Sequence, residues 1–251
     1  MDLGLTGRTY IVTGGSRGLG RASVDALVGE GARVVVAGRS AEQLRQVEAE
    51  YGGAVATVVA DNADPDTPAR LIGVARDHFG GLDGALISVG GPPAGNFASV
   101  PEDDWRSGFE TVFLGSVRLI REIGAVLGDG GSLALVLSSS VREPIAGLAV
   151  SNGLRPGLAM VAKSLASEWG PRGVRVNGLL PGRVATDRLA AIDAAADDPA
   201  AARKNAEDLI PLRRYGAPEE FGRVSAFVLS PAASYLSGVM LPVDGGALRG
   251  F

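Results

Sequence analysis

Short β-branched runs alternate with longer segments of helical period along nearly the whole chain, and that alternation leaves few folds open. "TYIVTG", "RVVVAG", "AVATVVA", "LDGALIS", "SLALVLS", "VRVNGLLPG" and "VMLPVDGG" read as strands. Helical stretches fall between them, at 18–30, 41–51, 66–79, 102–127, one reaching Trp169, and one near 218–229. Strands that are apolar at successive positions are covered on both faces, and a helix after each strand lays the next one parallel to it. The expected architecture is therefore α/β. It is a single domain over 1–251, doubly wound, with a parallel sheet of about seven strands and helices on both faces.

Composition removes several kinds of chemistry. There is no cysteine, which excludes disulfides, thiolate nucleophiles and cysteine-bound zinc. His78 is the single histidine, so a Ser-His-Asp triad would have to use it and a multi-histidine metal site is impossible. It reads as an imidazole at a helix end, and no metal is expected. The formal charge of -4, with basic residues spread along the chain, gives no footprint for nucleic acid or an anionic membrane. The N-terminus lacks a signal-like segment and no apolar run nears the ~20 residues of a membrane span, so a soluble cytoplasmic protein is expected.

The segment "TGGSRGLG", Thr13 to Gly20, follows the first strand and opens a helix. Glycines there permit a tight turn and close approach of backbone to a pyrophosphate, whose charge the helix start attracts. Gly14, Ser16, Arg17, Gly18, Leu19 and Gly20 are thus candidate cofactor-binding residues. After the second strand, where an acid would accept from the adenosine 2'-hydroxyl of NAD, the chain carries Gly38 and Arg39. Arg39 and Arg17 would instead clamp a 2'-phosphate, which favours NADP (NADPH) over NAD. Asp61, beside Asn62 at the end of the third strand, would accept from the adenine amine, or serve as a strand-end turn residue. Two irregular stretches, "VGGPPAGNFASVP" and 183–211, lie beyond C-terminal strand ends, where open α/β sheets bind ligands; the longer is a candidate substrate loop or lid.

These motifs, in this order and over essentially the whole length, resemble the short-chain dehydrogenase/reductase family, nearest its 3-oxoacyl-ACP reductase-like branch. "TGGSRGLG" is similar to the family's TGxxxGxG, "GVRVNGLLPGRVATD" to its PG segment, and "IPLRRYGAPEEFG" and "YLSGVMLPVDGG" to its C-terminal third. The resemblance implies a Rossmann fold and hydride transfer between a nicotinamide and a carbonyl or alcohol carbon. It also implies cofactor contacts from Gly90, Pro181, Gly182 and Thr186, and a homodimer or homotetramer built on two apolar-striped helices. The family's working set is Asn-Ser-Tyr-Lys, with the tyrosine transferring the proton. Here Ser151 stands at the tyrosine position, Arg155 at the lysine and Val112 at the asparagine, while the serine survives as Ser138, Ser139 or Ser140.

The replacements matter because an aliphatic hydroxyl is a far weaker acid than a phenol and a guanidinium does not readily release its proton. Ser151 can relay a proton, Arg155 can bind an oxyanion or ribose hydroxyls, and Glu143 could donate if burial raised its pKa. Pro156, between Gly153 and Gly157, is expected to delay the helix start to near Arg155, with 141–154 rebuilt as a loop. Two functions stay open. One is an NADP(H) oxidoreductase with a non-standard active site acting on a carbonyl, a 3-oxoacyl thioester among them, or an alcohol. The other is an inactive relative serving as a cofactor-binding or partner subunit.

Overall fold

The computed structural model describes residues 1–250. Seven strands, β1 (Thr9–Val12), β2 (Arg33–Gly38), β3 (Val55–Val59), β4 (Gly84–Ile87), β5 (Ser132–Val136), β6 (Arg175–Pro181) and β7 (Met240–Val243), form one sheet in the order β3-β2-β1-β4-β5-β6-β7. Every neighbouring pair is parallel. The helices between them are α1 (Gly18–Gly29), α2 (Ala41–Tyr51), α3 (Thr67–Phe79), α4 (Glu102–Gly108), α5 (Gly115–Val126), α6 (Ala149–Trp169), α7 (Asp187–Ala194), α8 (Pro199–Asp208) and α9 (Pro218–Leu229).

Alternation along each strand sends side chains to opposite faces. Tyr10, Val12, Val34 and Val36 pack with Leu27 of α1 and Phe221 of α9. Ile11, Val35, Ala85 and Ile87 pack with Leu71, Leu119, Ile123 and Leu158 on the other face. Both faces are buried, which is why the strands read as unbroken apolar runs. Arg175, at the start of β6, is buried with its guanidinium on the carbonyls of Val228, Leu229, Ser230 and Leu236 at 3.0–3.2 Å. It thereby satisfies carbonyls that the end of α9 leaves without helical partners, and its charge suits the helix C-terminus. Burial pushes the nearby Tyr10 phenol up to about 12.

The chain doubles back between β1 and β4, and there the connections leave in opposite directions and open a crevice at the C-terminal strand ends. The glycine-rich turn leaves β1 at this edge, Ser88 to Gly91 leave β4, the three serines leave β5, and Gly182 follows β6.

Three sequence expectations change. The stretch 183–211 is not irregular: α7 and α8 occupy it, and Asp198 caps α8 through Ala201 N at 3.0 Å with Pro199 as first helical residue. Ala206, Ile210 and Tyr215 give these helices a small core of their own. The late start of α6 is also overturned, because helix runs unbroken from Ala149 through Pro156. Pro156 forfeits the bond to the Asn152 carbonyl, but the first turn is anchored otherwise. Ala149 N donates to Gly95 O at 3.1 Å, and the Asn152 amide side chain bonds both N and O of Ile145 at 3.1 and 2.8 Å. Gly153 and Gly157 then let Trp105 and Phe113 pack directly on the helix, where a Cβ would lie within 2.8 and 2.9 Å of the rings. Finally, the expected helix over 102–127 contains a π turn, Phe109–Leu114, between α4 and α5, and Val112 sits in it.

Candidate active site

Gly14 and Gly18 take positive φ, +59° and +56°, which L side chains rarely adopt. A Cβ on Gly14 would lie 2.8 Å from Ser88 O, and one on Gly20 only 2.2 Å from Gly14 O, so the turn closes on itself and on the end of β4. Thr13 locks the junction, its hydroxyl donating to Ser88 O at 2.8 Å and accepting from Ser88 N at 2.9 Å. No acidic residue stands in the first turn of α1, leaving its N-terminal charge uncompensated by the protein.

Ser16 Oγ donates to Gln43 Oε1 at 3.0 Å and lies 3.1 Å from where a Gly38 Cβ would sit. This contact puts the chain neighbours Arg17 and Arg39 at one end of the cradle. Both are exposed, and neither forms an ion pair or side-chain hydrogen bond among the described residues. Asp61 Oδ1 accepts from Ala63 N at 2.9 Å, so one carboxylate oxygen is engaged in a local turn. The Asn62 carbonyl faces Gly115, whose missing Cβ would lie 2.4 Å from it. Around Gly90 there is open space, with nothing within 4 Å of a Cβ position. Pro181 ends β6, Gly182 packs on Asp244, and the Thr186 methyl reaches to 3.6 Å from a Cβ position on Gly18.

On the β5 side, the Oγ atoms of Ser140 and Ser151 lie 3.4 Å apart, both buried. Ser138 turns inward on its own loop, its hydroxyl accepting from Ser140 N at 3.1 Å, and Ser139 is half-buried. Of the three candidate serines, Ser140 is therefore the one paired with Ser151. Arg155, one helical turn further on, is 6% exposed and donates from Nη1 to Val136 O at 2.8 Å and from Nη2 to Val89 O at 3.4 Å. Burial, with a smaller effect from the cation Arg188, lowers its pKa to about 10. It remains a cation near neutrality.

No phenol joins this group. Tyr10 donates to Leu229 O under the sheet, Tyr51 to Asp25, and Tyr215 to Asp193 at 3.2 Å, while Tyr235 is exposed. Burial raises the pKa of Tyr10, Tyr51 and Tyr215, the wrong direction for an activated acid. Glu143 is exposed, with Oε1 accepting from Arg249 N at 3.3 Å, so the burial its donor role requires is absent. Val112 is buried and brings an apolar side chain, its carbonyl accepting from Ser116 Oγ at 2.6 Å. His78 lies exposed in the last turn of α3. Among the described residues no cluster of His, Cys, Asp or Glu could hold a metal, and no helix is long and apolar enough to cross a membrane.

Sequence reasoning missed Arg188. Its guanidinium lies across Gly91, where a Cβ would come within 1.9 Å of Nη1. Nothing in the local sequence distinguishes it from a solvated lid charge; only the folding of α7 over the crevice does.

A doubly wound sheet with a glycine cradle at its reversal and a serine-bearing helix beside it defines the class of nucleotide-binding oxidoreductases. Residues 14–247 match the family model described as enoyl-(acyl carrier protein) reductase. The chain is 33% identical over 248 residues to 2,5-dichloro-2,5-cyclohexadiene-1,4-diol dehydrogenase of Sphingobium indicum, covering 96% of this chain and 97% of that one. It is 30% identical over 252 residues to L-rhamnose 1-dehydrogenase (NAD(P)(+)) of Azotobacter vinelandii, with the same coverage. Among solved structures, the L-sorbose reductase of Gluconobacter frateurii complexed with NADPH and L-sorbose superposes with a TM-score of 0.92 at 26% identity, over 100% of both chains. The chain belongs to the short-chain dehydrogenase/reductase family, oxidoreductases that interconvert alcohols and carbonyls.

Proposed function

We propose that the protein is a cytoplasmic NADP(H)-dependent oxidoreductase acting on a small carbonyl or alcohol compound, with a 3-oxoacyl thioester within that class. The observation that carries the cofactor preference is the pair Arg17 and Arg39. Both are exposed and, among the described residues, free of acid partners, at the end of the cradle where an adenosine 2'-phosphate would lie. The glycine turn fits a pyrophosphate, since the positions a Cβ would fill are those where backbone must come closest. Relatives support the reading: one is named for NAD(P)(+), another was solved with NADPH.

When bound, the nicotinamide nucleotide supplies or accepts the hydride. The chain's own part is then to hold the substrate oxygen with the Ser140 and Ser151 hydroxyls and to place the Arg155 cation beside them. Arg155 stabilises a forming alkoxide electrostatically but keeps its proton, so the proton comes through the serine pair from water. The same replacements favour a second reading, a non-catalytic cofactor-binding or partner subunit, because no acid matched to neutral pH is bonded to either serine. The exposed Phe109, stacked on Phe113 at 5.4 Å, and the 66% exposed Met160 support the homodimer or homotetramer suggested by the helix stripes. NADPH fluorescence titration followed by turnover on ketones, β-ketoacyl thioesters and quinones tests the choice. Saturable binding with turnover supports the enzyme, and binding without turnover supports the subunit.

A further inference from the structure

Arg155 is a buried cation whose protein partners are all neutral. Its two hydrogen bonds go to the carbonyls of Val136 and Val89, and among the described residues no carboxylate pairs with it. Buried charges are ordinarily paired, and where the equally buried Arg175 makes four bonds to carbonyls, Arg155 makes only two, one of them long at 3.4 Å. The charged group that does act on it is another cation, Arg188.

Arg188 comes from the first turn of α7, is exposed, and forms neither an ion pair nor a side-chain hydrogen bond among the described residues. Its guanidinium rests on Gly91, two residues beyond Val89, so the two arginines flank one short stretch of backbone after β4. A side chain at Gly91 would exclude it. Ser151, bonded to Ser140 through their hydroxyls, lies one helical turn before Arg155 on α6. Two cations thus meet at one backbone stretch, and no carboxylate among the described residues is bonded to either. A ligand oxyanion would relieve the repulsion and accept from planar guanidinium forks.

We propose that Arg155 and Arg188 bind the oxyanion of an anionic substrate, a carboxylate or phosphoryl group carried beside its carbonyl or alcohol. This rests on the oxidoreductase reading above and adds the substrate class to it. Arg188, on the lid, is the specificity residue; Arg155 is fixed beneath it.

Calorimetric titration of the full chain, with and without saturating NADPH, uses benzoate, phenyl phosphate and benzamide as probes. The Arg188 side chain makes no hydrogen bond or ion pair to the other described residues, so Arg188→Ala leaves the fold intact. The expected result is that benzoate or phenyl phosphate binds the NADPH-loaded protein at least about ten-fold tighter than benzamide, and that Arg188→Ala removes this margin without changing NADPH affinity. Equal binding of benzamide, or no binding of either anion, overturns the proposal. So does competition between the anions and NADPH together with weaker NADPH binding by Arg188→Ala, since Arg188 then serves the cofactor phosphates. If NADPH itself fails to bind while the anions still bind the free chain through Arg188, the cofactor reading falls and the anion site stands.

Discussion

The two sides of the crevice differ in kind. On the β1 side, glycines, the Thr13 clasp and two unpaired arginines form a cradle in which each residue has a geometric reason to be there. On the β5 side a π turn holds Val112 and a long helix carries Ser151 and Arg155, and among the described residues no phenol or carboxyl is bonded to either Ser140 or Ser151. A nucleotide-binding surface depends on backbone shape, whereas proton transfer depends on the pKa of a few side chains. Substitution can erase the second while leaving the first whole.

The contrast can be broken from either side. The largest effect is expected from Gly20→Val: with Gly14 O 2.2 Å from the Cβ position, the turn cannot close, and NADPH affinity should fall by more than about 100-fold by fluorescence titration. Next, Ser151→Tyr with Arg155→Lys should raise turnover of a reducible substrate by about 100-fold, the usual contribution of a positioned general acid. An unchanged rate would mean that proton supply is not what limits the site. Arg39→Ala should weaken NADPH by about 10-fold and leave NADH unaffected, consistent with about 1.5 kcal/mol for a charge-assisted bond to phosphate.

The smallest effect is expected from Arg155→Met. Losing two bonds to carbonyls is offset by no longer burying an unpaired charge, so unfolding free energy in urea should stay within about 1 kcal/mol of wild type at neutral pH. The pH dependence has a definite sign. The folded pKa of Arg155 is lowered to about 10, so above that pH the unfolded chain binds more protons than the folded one, and stability rises with pH. Wild type should therefore gain on Arg155→Met as pH rises from about 10 toward the ordinary arginine range.

Much of this was legible in the sequence, for reasons particular to each element. Strands buried on both faces are apolar at every position, and the helical period over 41–51 matches α2 to the residue, with Ser40 capping it through Gln43 N in the structure. The cradle was readable because its glycines are required by backbone geometry. The start of α6 was misread because a proline's local cost is visible in sequence, while the Asn152 clasp and the bond to Gly95 O that offset it come from 95 and 145, outside the helix. The helices of 183–211 were missed although "DDPAAARKNAED" carries a cap and a first-turn proline. Which of Ser138, Ser139 and Ser140 faces Ser151 depends on a 3-10 turn that adjacent serines cannot signal. Arg188 gains its place only from the packing of α7 over Gly91.

A paired NADPH and NADH fluorescence titration of the wild-type chain tests most directly the proposal that the β1-side cradle takes a nucleotide carrying a 2'-phosphate. Saturable NADPH binding at least about ten-fold tighter than NADH is the expected result. Absence of saturable binding by either nucleotide, or tighter binding of NADH, would contradict it.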